Sequence, residues 1–575
     1  MIFDILKKIN YLVTLTVGRK LIFLFLFLSL VIVIFELASL ASFLPLISAI
    51  TNIEKVSYDN IFLKYFSFNN LLSRVELCII LLLSFFLIKN FIVYVATRII
   101  NKIGLNFLNN LNNKILNLYL NQDYSFFLEN NSSRLINICG HHSRIIKNIL
   151  ESIIYLFIEI LVNIAILVTL LIYIGKLTFL LILFFSFFIY FYIIAIKKKF
   201  LKLGKEQQAS EFIIIRILTE TFNSIKELYV FNKKDVFINL FNDHRKLLSK
   251  NEMNQSNFNF LPKFWVEFFV AFGFSILVFY YSLFHSLSDL NYTLAIFGVA
   301  ILRFVPGTNK ILLLYQRIII TKASIDLIYN DFTNLKLQKV VNIENKSIDI
   351  VFNDISFNNV SFKYDSSKDF ILKNINLKIS QGDMIAFYGD SGSGKTTFLD
   401  IFLGLLEPKE GNIKINDKDF YLMKNFWRKN IGYIPQSPYL FDESILNNIT
   451  FFQEGKEIDN RMLDKVIDMC QINHFINDLP YGIKTVIGDK GARISGGQKQ
   501  RLAIARALYQ KPQILVFDES TNALDFKNEA DILESIKNLN IKYGITILFV
   551  THKLDLIKDF KYIYKVEKQS LIKYK

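Results

Sequence analysis

Gly389-Asp390-Ser391-Gly392-Ser393-Gly394-Lys395-Thr396 is the stretch that decides the fold. It has the form G-x-x-x-x-G-K-[ST], whose glycines let backbone N–H groups turn inward on a phosphate chain. The spacing assigns Lys395 to the β- and γ-phosphates and the Thr396 hydroxyl to a Mg²⁺ ion. The apolar run 385–388 before it reads as a strand. The residues after it read as a helix whose N-terminus favours anions. Strand, glycine loop and helix are the context in which this pattern is a site. From about residue 352 onward, short β-rich runs such as 385–388 and 514–517 alternate with helices, so this part is expected to be α/β.

The rest of the chain asks for a bilayer. Of 575 residues, 52% are hydrophobic, and the net charge is +16. The mean hydropathy of +0.35 is too high for an ordinary soluble protein. The length predicts several domains. A membrane-spanning helix needs about 20 mostly apolar residues, and six runs qualify: 21–47, 75–95, 149–174, 177–196, 264–284 and 294–314. Lys7, Lys8, Arg19 and Lys20 precede the first run and Lys197-Lys198-Lys199 follow the fourth. By the rule that Lys and Arg stay on the cytoplasmic side, both termini are expected in the cytoplasm. The basic excess then faces anionic lipid rather than nucleic acid. The first run is long and lacks a clear cleavage site, so it reads as a retained span.

Two connections, 101–148 and 197–263, are too long for loops and show helical periodicity. They read as membrane helices continued into the cytoplasm and joined by short turns. The polar stretch at 322–353 marks the boundary. The expected domains are 1–330 (membrane), 331–351 (linker) and 352–575 (nucleotide-binding). Cys78, Cys139 and Cys470 form no C-x-x-C pair, and no disulfide framework is expected. His141-His142 has no further ligands nearby in sequence and reads as a packed or solvated pair.

With the phosphate loop, further motifs stand in a familiar order. Ile494-Ser495-Gly496-Gly497-Gln498 follows about a hundred residues later, then Asp518-Glu519 after the apolar run 514–517, then His552 after another apolar run. On these residues 352–575 resembles the nucleotide-binding domain of ATP-binding cassette (ABC) transporters. That resemblance implies ATP and Mg²⁺ as cofactors and an ATP hydrolase coupled to transport. It carries Tyr364 over as the aromatic that stacks on adenine. Gly389, Asp390, Ser391, Gly392, Ser393, Gly394, Lys395, Thr396 and Thr397 become phosphate contacts. Gln436 and Asp518, with Thr396, become the Mg²⁺ set. Glu519 is carried over as the group polarising the attacking water, His552 as a switch near the γ-phosphate, and Asp525 as a cross-dimer contact. Ser495, Gly496, Gly497 and Gln498 would reach a nucleotide held by a second cassette, which implies a homodimer. Ile494 and Asn522 stand where Leu and Ser are commoner in the family.

The membrane part precedes the cassette on one chain, as in the exporter type of this superfamily. The implied fold is an all-α membrane domain of about six spans followed by an α/β P-loop cassette, multi-pass in a bacterial inner membrane. Phe35-Glu36-Leu37-Ala38, Phe43-Leu44-Pro45-Leu46-Ile47, Leu261-Pro262-Lys263 and Leu302-Arg303-Phe304-Val305-Pro306 with Asn309-Lys310 resemble the bacterial ABC flippase for lipid-linked oligosaccharides. The implied cargo is a polyprenyl-pyrophosphate-linked oligosaccharide moved to the outer leaflet. An exporter of lipid A, drugs or peptides is the alternative, and an ATP-gated channel or non-transport regulator the remote one. A processing domain for peptides is not expected with only about twenty residues before the first run.

Cations inside apolar runs are costly unless they face water or an anion. Lys89, Lys263 and Arg303 are therefore expected either to line one cavity for a pyrophosphate, or to snorkel or pair with Glu36, Glu159 or Glu267. The segment 52–68 has apolar residues at near-helical spacing. It reads as an amphipathic helix on the outer membrane surface or an apolar plug.

Overall fold

A computed structural model describes residues 1–575 except 19, 52–70, 175, 285–286, 336–350, 366, 454–456, 489–490, 492–493 and 520–525. The surface segment expected at 52–68, most of the linker and Asp525 lie outside the described residues. Contacts divide the chain into two units. One is Met1–Gln122 with Phe126–Val340; the other is Asp123–Ser125 with Val341–Lys575.

The first unit is helical. Five described stretches are long and apolar enough to cross a membrane: Phe23–Ile47, Val75–Leu120, Ser132–Ile172, Lys234–Leu283 and Thr293–Ile320. The expected fourth run, 177–196, forms the first part of the helix Lys176–Asn223. The long connections are helical too. Helix Leu71–Leu120 has 50 residues, about 75 Å at 1.5 Å per residue and more than twice a hydrocarbon core of about 30 Å. Short turn helices follow at Tyr124–Glu129 and Ser132–Asn137 before the chain returns along Ser143–Ile174. Likewise Lys176–Asn223 and Lys234–Phe284 are joined through Ile225–Val230.

Backbone polar groups within a bilayer need partners inside the protein. Pro262, inside Lys234–Phe284, removes one N–H and frees the carbonyl of Phe258. The Tyr192 hydroxyl donates to that carbonyl at 3.3 Å, and Gln316 donates to the same hydroxyl at 3.1 Å. Helices Ser143–Ile174 and Leu287–Ile320 meet at Gly307, where a Cβ would lie 2.4 Å from Asn163 Nδ2. Any larger residue there would push the Asn163 side chain aside, and small residues allow such close approach between membrane helices generally.

The second unit is α/β. Strands β1 (Asp354–Phe362), β2 (Leu372–Ser380), β4 (Glu410–Ile415) and β5 (Lys418–Asp419) form an antiparallel sheet in the order β2-β1-β4-β5. Strands β3 (Met384–Tyr388), β6 (Ile431–Ile434), β7 (Ile514–Asp518), β8 (Thr546–Thr551), β9 (Tyr562–Glu567) and β10 (Ser570–Lys573) form the second sheet. Its order is β10-β9-β3-β8-β7-β6, parallel from β9 through β6. The buried runs of β3 and β8 are the near-continuous apolar pattern of a sheet covered on both faces. Phe357, Phe387, Phe398 and Phe402 pack between the two sheets and the helix Lys395–Phe402. Trp427 is fully buried among Phe352, Phe402 and Phe420, and its Nε1 donates to the Phe402 carbonyl at 2.6 Å.

Candidate active site

Parallel strands in register end at one edge, and the loops leaving that edge meet. Tyr388 of β3 lies opposite Thr551 of β8, and Asp518 of β7 opposite Val550 of β8. The phosphate loop, Glu519 and His552 therefore leave the sheet side by side, although 163 residues separate Gly389 from His552. Ile434 of β6 pairs with Phe517, which brings the Gln436 loop to the same edge.

Gly394 caps the helix Lys395–Phe402 at φ 102°, a left-handed conformation that glycine adopts without cost. Lys395 is only 6% exposed. Its Nζ donates to the carbonyls of Gly389 at 2.7 Å and Asp390 at 2.9 Å, and it lies 3.5 Å from Glu519. The ammonium is thus held against its own loop, pointed where phosphate charge would arrive. Ser393 Oγ is buried within the loop and has no hydrogen-bond partner among the described residues. Ser391, Gly392 and Thr396 are accessible, and Asp390 is exposed at the mouth. The Tyr364 hydroxyl lies 3.4 Å from Thr397 Oγ1, with its ring edge-on to Phe362. That places the aromatic beside the first turn of the loop's helix.

Glu519 holds φ at 44°, an uncommon left-handed value for a side-chain-bearing residue. Its N–H donates to the Val550 carbonyl at 2.9 Å, which fixes the turn. The carboxylate accepts from Gln436 Nε2 at 3.3 Å and lies 3.7 Å from His552 Nδ1. Asp518 accepts from the Tyr433 hydroxyl at 3.2 Å. Burial holds the Asp518 carboxyl above its ordinary range; the Tyr433 hydrogen bond opposes this and the Glu519 charge adds to it. Asp400, one helical turn past Thr396, is raised to about 6 by burial first and by the Asp518 charge second.

Ser495 caps the helix Gly496–Tyr509 with a reciprocal box. Gln498 N donates to Ser495 Oγ at 3.2 Å, and Ser495 N donates to Gln498 Oε1 at 2.8 Å. Ser495 and Gly496 are exposed and Gly497 half-buried. Among the described residues, no hydrogen bond or ion pair joins this segment to the phosphate loop. The structure brings together Tyr364, Lys395, Thr397, Gln436, Asp518, Glu519 and His552; among the described residues no hydrogen bond or ion pair links Ser495–Gln498 to them. Sequence reasoning passed over Tyr433 and Asp400. The signal for Tyr433 was its place in a strand three residues before Gln436.

In the membrane unit, the expected ion-pair partners are the ones found. Glu36 lies 3.3 Å from Arg303 and 3.6 Å from Lys89, and Glu159 lies 2.9 Å from Arg303 and 2.8 Å from Lys310. Lys263 lies instead 3.9 Å from Glu267 on its own helix and is more than half exposed. Lys310 was missed as a network member because Glu159 is 151 residues away.

The ABC transporter family profile matches residues 372–522, and the ABC transporter transmembrane region profile matches residues 20–305. The chain belongs to the ABC transporters. Within this polypeptide the transmembrane region precedes the ATP-binding cassette. A solved bacterial Atm1-family ABC exporter with ATP bound has the same fold, with TM-score 0.79 over 96% of this chain and 95% of that one at 19% identity. The alpha-hemolysin translocation ATP-binding protein HlyB of Proteus vulgaris is 38% identical over 223 residues, 38% of this chain and 31% of that protein. ABC transporter B family member 29, chloroplastic, of Arabidopsis thaliana is 35% identical over 244 residues, 42% and 38% of the two chains. The leukotoxin export ATP-binding protein LtxB of Aggregatibacter actinomycetemcomitans is 37% identical over 235 residues, 40% and 32%. The chain spans about a third of the length of these curated relatives.

Proposed function

We propose that this chain is an ATP-driven exporter that works as a homodimer and moves a polyprenyl-pyrophosphate-linked oligosaccharide from the cytoplasmic to the outer leaflet. Residues 1–330 form its membrane domain, 331–351 the linker and 352–575 the cassette. It resides in a bacterial inner membrane with both termini and the cassette in the cytoplasm. The carrying observation for ATP chemistry is the convergence of Lys395, Glu519, Gln436 and His552 at one sheet edge.

The residues fit Mg-ATP. An orphaned Ser393 hydroxyl and a lysine resting on loop carbonyls suit a phosphate chain. Among the described residues no three His, Cys, Asp or Glu could hold a metal by themselves. Thr396, Gln436 and Asp518 suit an ion such as Mg²⁺, which keeps waters and phosphate oxygens as ligands. When bound, Mg²⁺ neutralises charge on the β- and γ-phosphate oxygens. Lys395 would add a second positive charge there. Glu519 would hold the attacking water in line and take its proton, and His552 and Gln436 would orient that carboxylate. Ser495 and the exposed helix N-terminus at Gly496 would cap the phosphate held by a second copy. Dimerisation is supported by the exposed Ser495 and Gly496 and by the exposed turn residues Tyr229, Val230 and Phe231.

The cargo reading rests on Lys89 and Arg303, two cations within candidate spans, in a network with more cations than carboxylates. Pairing does not exclude anion binding, because a divalent headgroup competes for the same donors. The names of two relatives favour a second reading, export of a toxin polypeptide. Reconstitution with a fluorescent pyrophosphate-linked glycolipid separates the two. ATP-dependent leaflet exchange supports the flippase; stimulation of ATPase only by polypeptide overturns it.

A further inference from the structure

We propose that the membrane unit holds a binding site for one hydrocarbon chain of its anionic lipid cargo, in an apolar cavity beside the Arg303 charge network; this rests on the lipid reading above. The cavity measures about 610 Å³ and lies among helices Lys20–Ala41, Phe43–Thr51, Ser143–Ile174 and Leu287–Ile320. That volume is in the range of small-molecule sites. Leu37, Leu40, Leu44, Ala165, Val299 and Ala300 line it. Thr169 also lines it, but its hydroxyl is already donated to the Ala165 carbonyl at 2.8 Å. A buried water needs two to four polar partners. This lining does not supply them, so the fitting occupant is apolar.

The charges do not line the cavity themselves but adjoin its lining residues on three helices at once. Glu36 directly precedes Leu37, Arg303 lies one turn past Val299 and Ala300, and Glu159 lies two residues before Leu161. Among the described residues, Lys89, Arg303 and Lys310 are three cations set against the two carboxylates Glu36 and Glu159, an excess of one positive charge. Leu30, Ile164 and Val168 on the lining are about half exposed, whereas Ile166 and Ile296 are buried. A chain can therefore enter sideways from the bilayer, with its headgroup against Arg303. Leaving lipid for this cavity gains little hydrophobic free energy, because both surroundings are apolar. The cavity acts by fixing where the headgroup sits.

The test uses full-length protein in vesicles of phosphatidylethanolamine and phosphatidylglycerol. The probes are an isoprenoid pyrophosphate lipid carrying a photoreactive diazirine in its chain and a water-soluble short-chain pyrophosphate. Labelling of residues 37–44, 161–170 and 296–300 is expected. Ala165→Phe and Ala300→Phe, which fill the cavity, should each cut that labelling about tenfold. They should leave basal ATPase activity and stimulation by the short-chain probe intact. Should both variants fail to fold, the wild-type labelling map alone decides. Labelling elsewhere, or labelling undiminished by both variants, overturns the proposal. So does a disulfide formed between two copies through Ile164→Cys, which would show the cavity filled by a second chain. A long-chain probe that stimulates ATPase but labels other residues sinks only this inference. One that neither stimulates nor labels sinks the cargo reading with it.

Discussion

Glu519→Gln is the most informative single substitution. Glutamine keeps the shape of the side chain and its contact with Gln436, and removes only the charge and the proton-accepting oxygen. A positioned general base is worth about 10²–10⁴ in rate, which is about 3–5 kcal/mol of barrier. The cost in stability should be below about 1 kcal/mol. Lys395 keeps its two loop carbonyls, and the lost attraction at 3.5 Å is offset by relief of the charge beside Asp518. ATPase activity in proteoliposomes, with ATP binding and thermal unfolding measured on the same sample, is the assay. The expected outcome is a rate down at least about 100-fold with binding and unfolding temperature retained. Glu519→Gly sharpens the case, because glycine suits the left-handed φ of 44°. That variant should lose the rate without losing stability. A Glu519→Gln protein hydrolysing ATP within about threefold of normal would refute the assignment, since no base effect is that small.

Three further outcomes are expected. Tyr433→Phe deletes the hydroxyl that holds Asp518, and should raise the Mg²⁺ concentration for half-maximal ATPase activity about fivefold, read by Mg²⁺ titration. Ser495→Ala removes a helix cap worth about 1 kcal/mol, and should depress ATPase activity more than that loss of stability explains, read against the unfolding curve. Asp400→Asn tests a pH effect whose sign follows from the raised carboxyl. The folded protein binds the Asp400 proton more tightly than the unfolded chain does, so stability drains away as pH rises from about 4 to about 6. The gap is worth up to ~3 kcal/mol, discounted to about 1 kcal/mol for partial exposure. Without nucleotide, the substitution should therefore raise the unfolding temperature at pH 7.5 and leave it nearly unchanged at pH 4.

Much of this was legible because it is local. The phosphate loop and its helix, Ser495 with Gln498, and the strand ending at Asp518 each lie within a few consecutive residues. The long connections also gave themselves away through helical periodicity. What stayed hidden depends on neighbours far apart in the chain. Strand order joins β3 to β8 across more than 150 residues and β8 to β7, and these two pairings together set Lys395 beside Glu519. The counter-ions of Arg303 could be named from composition, but their sharing among Lys89, Arg303 and Lys310 required the helix packing. Tyr433 looks like any aromatic on a strand until β6 is laid against β7. Tyr192 gains its purpose only when Pro262 has freed a carbonyl 66 residues further along.

The 50-residue helix Leu71–Leu120 has a mechanical corollary. Its hydrogen bonds run without a proline, so it behaves as a stiff rod and not as a hinge. Swinging such a rod by about 5° about one tip carries the opposite tip roughly 6 Å, given its length of about 75 Å. Small angular rearrangements among spans thus become atomic-scale strokes at the turn near Tyr124–Glu129, with no local unfolding needed.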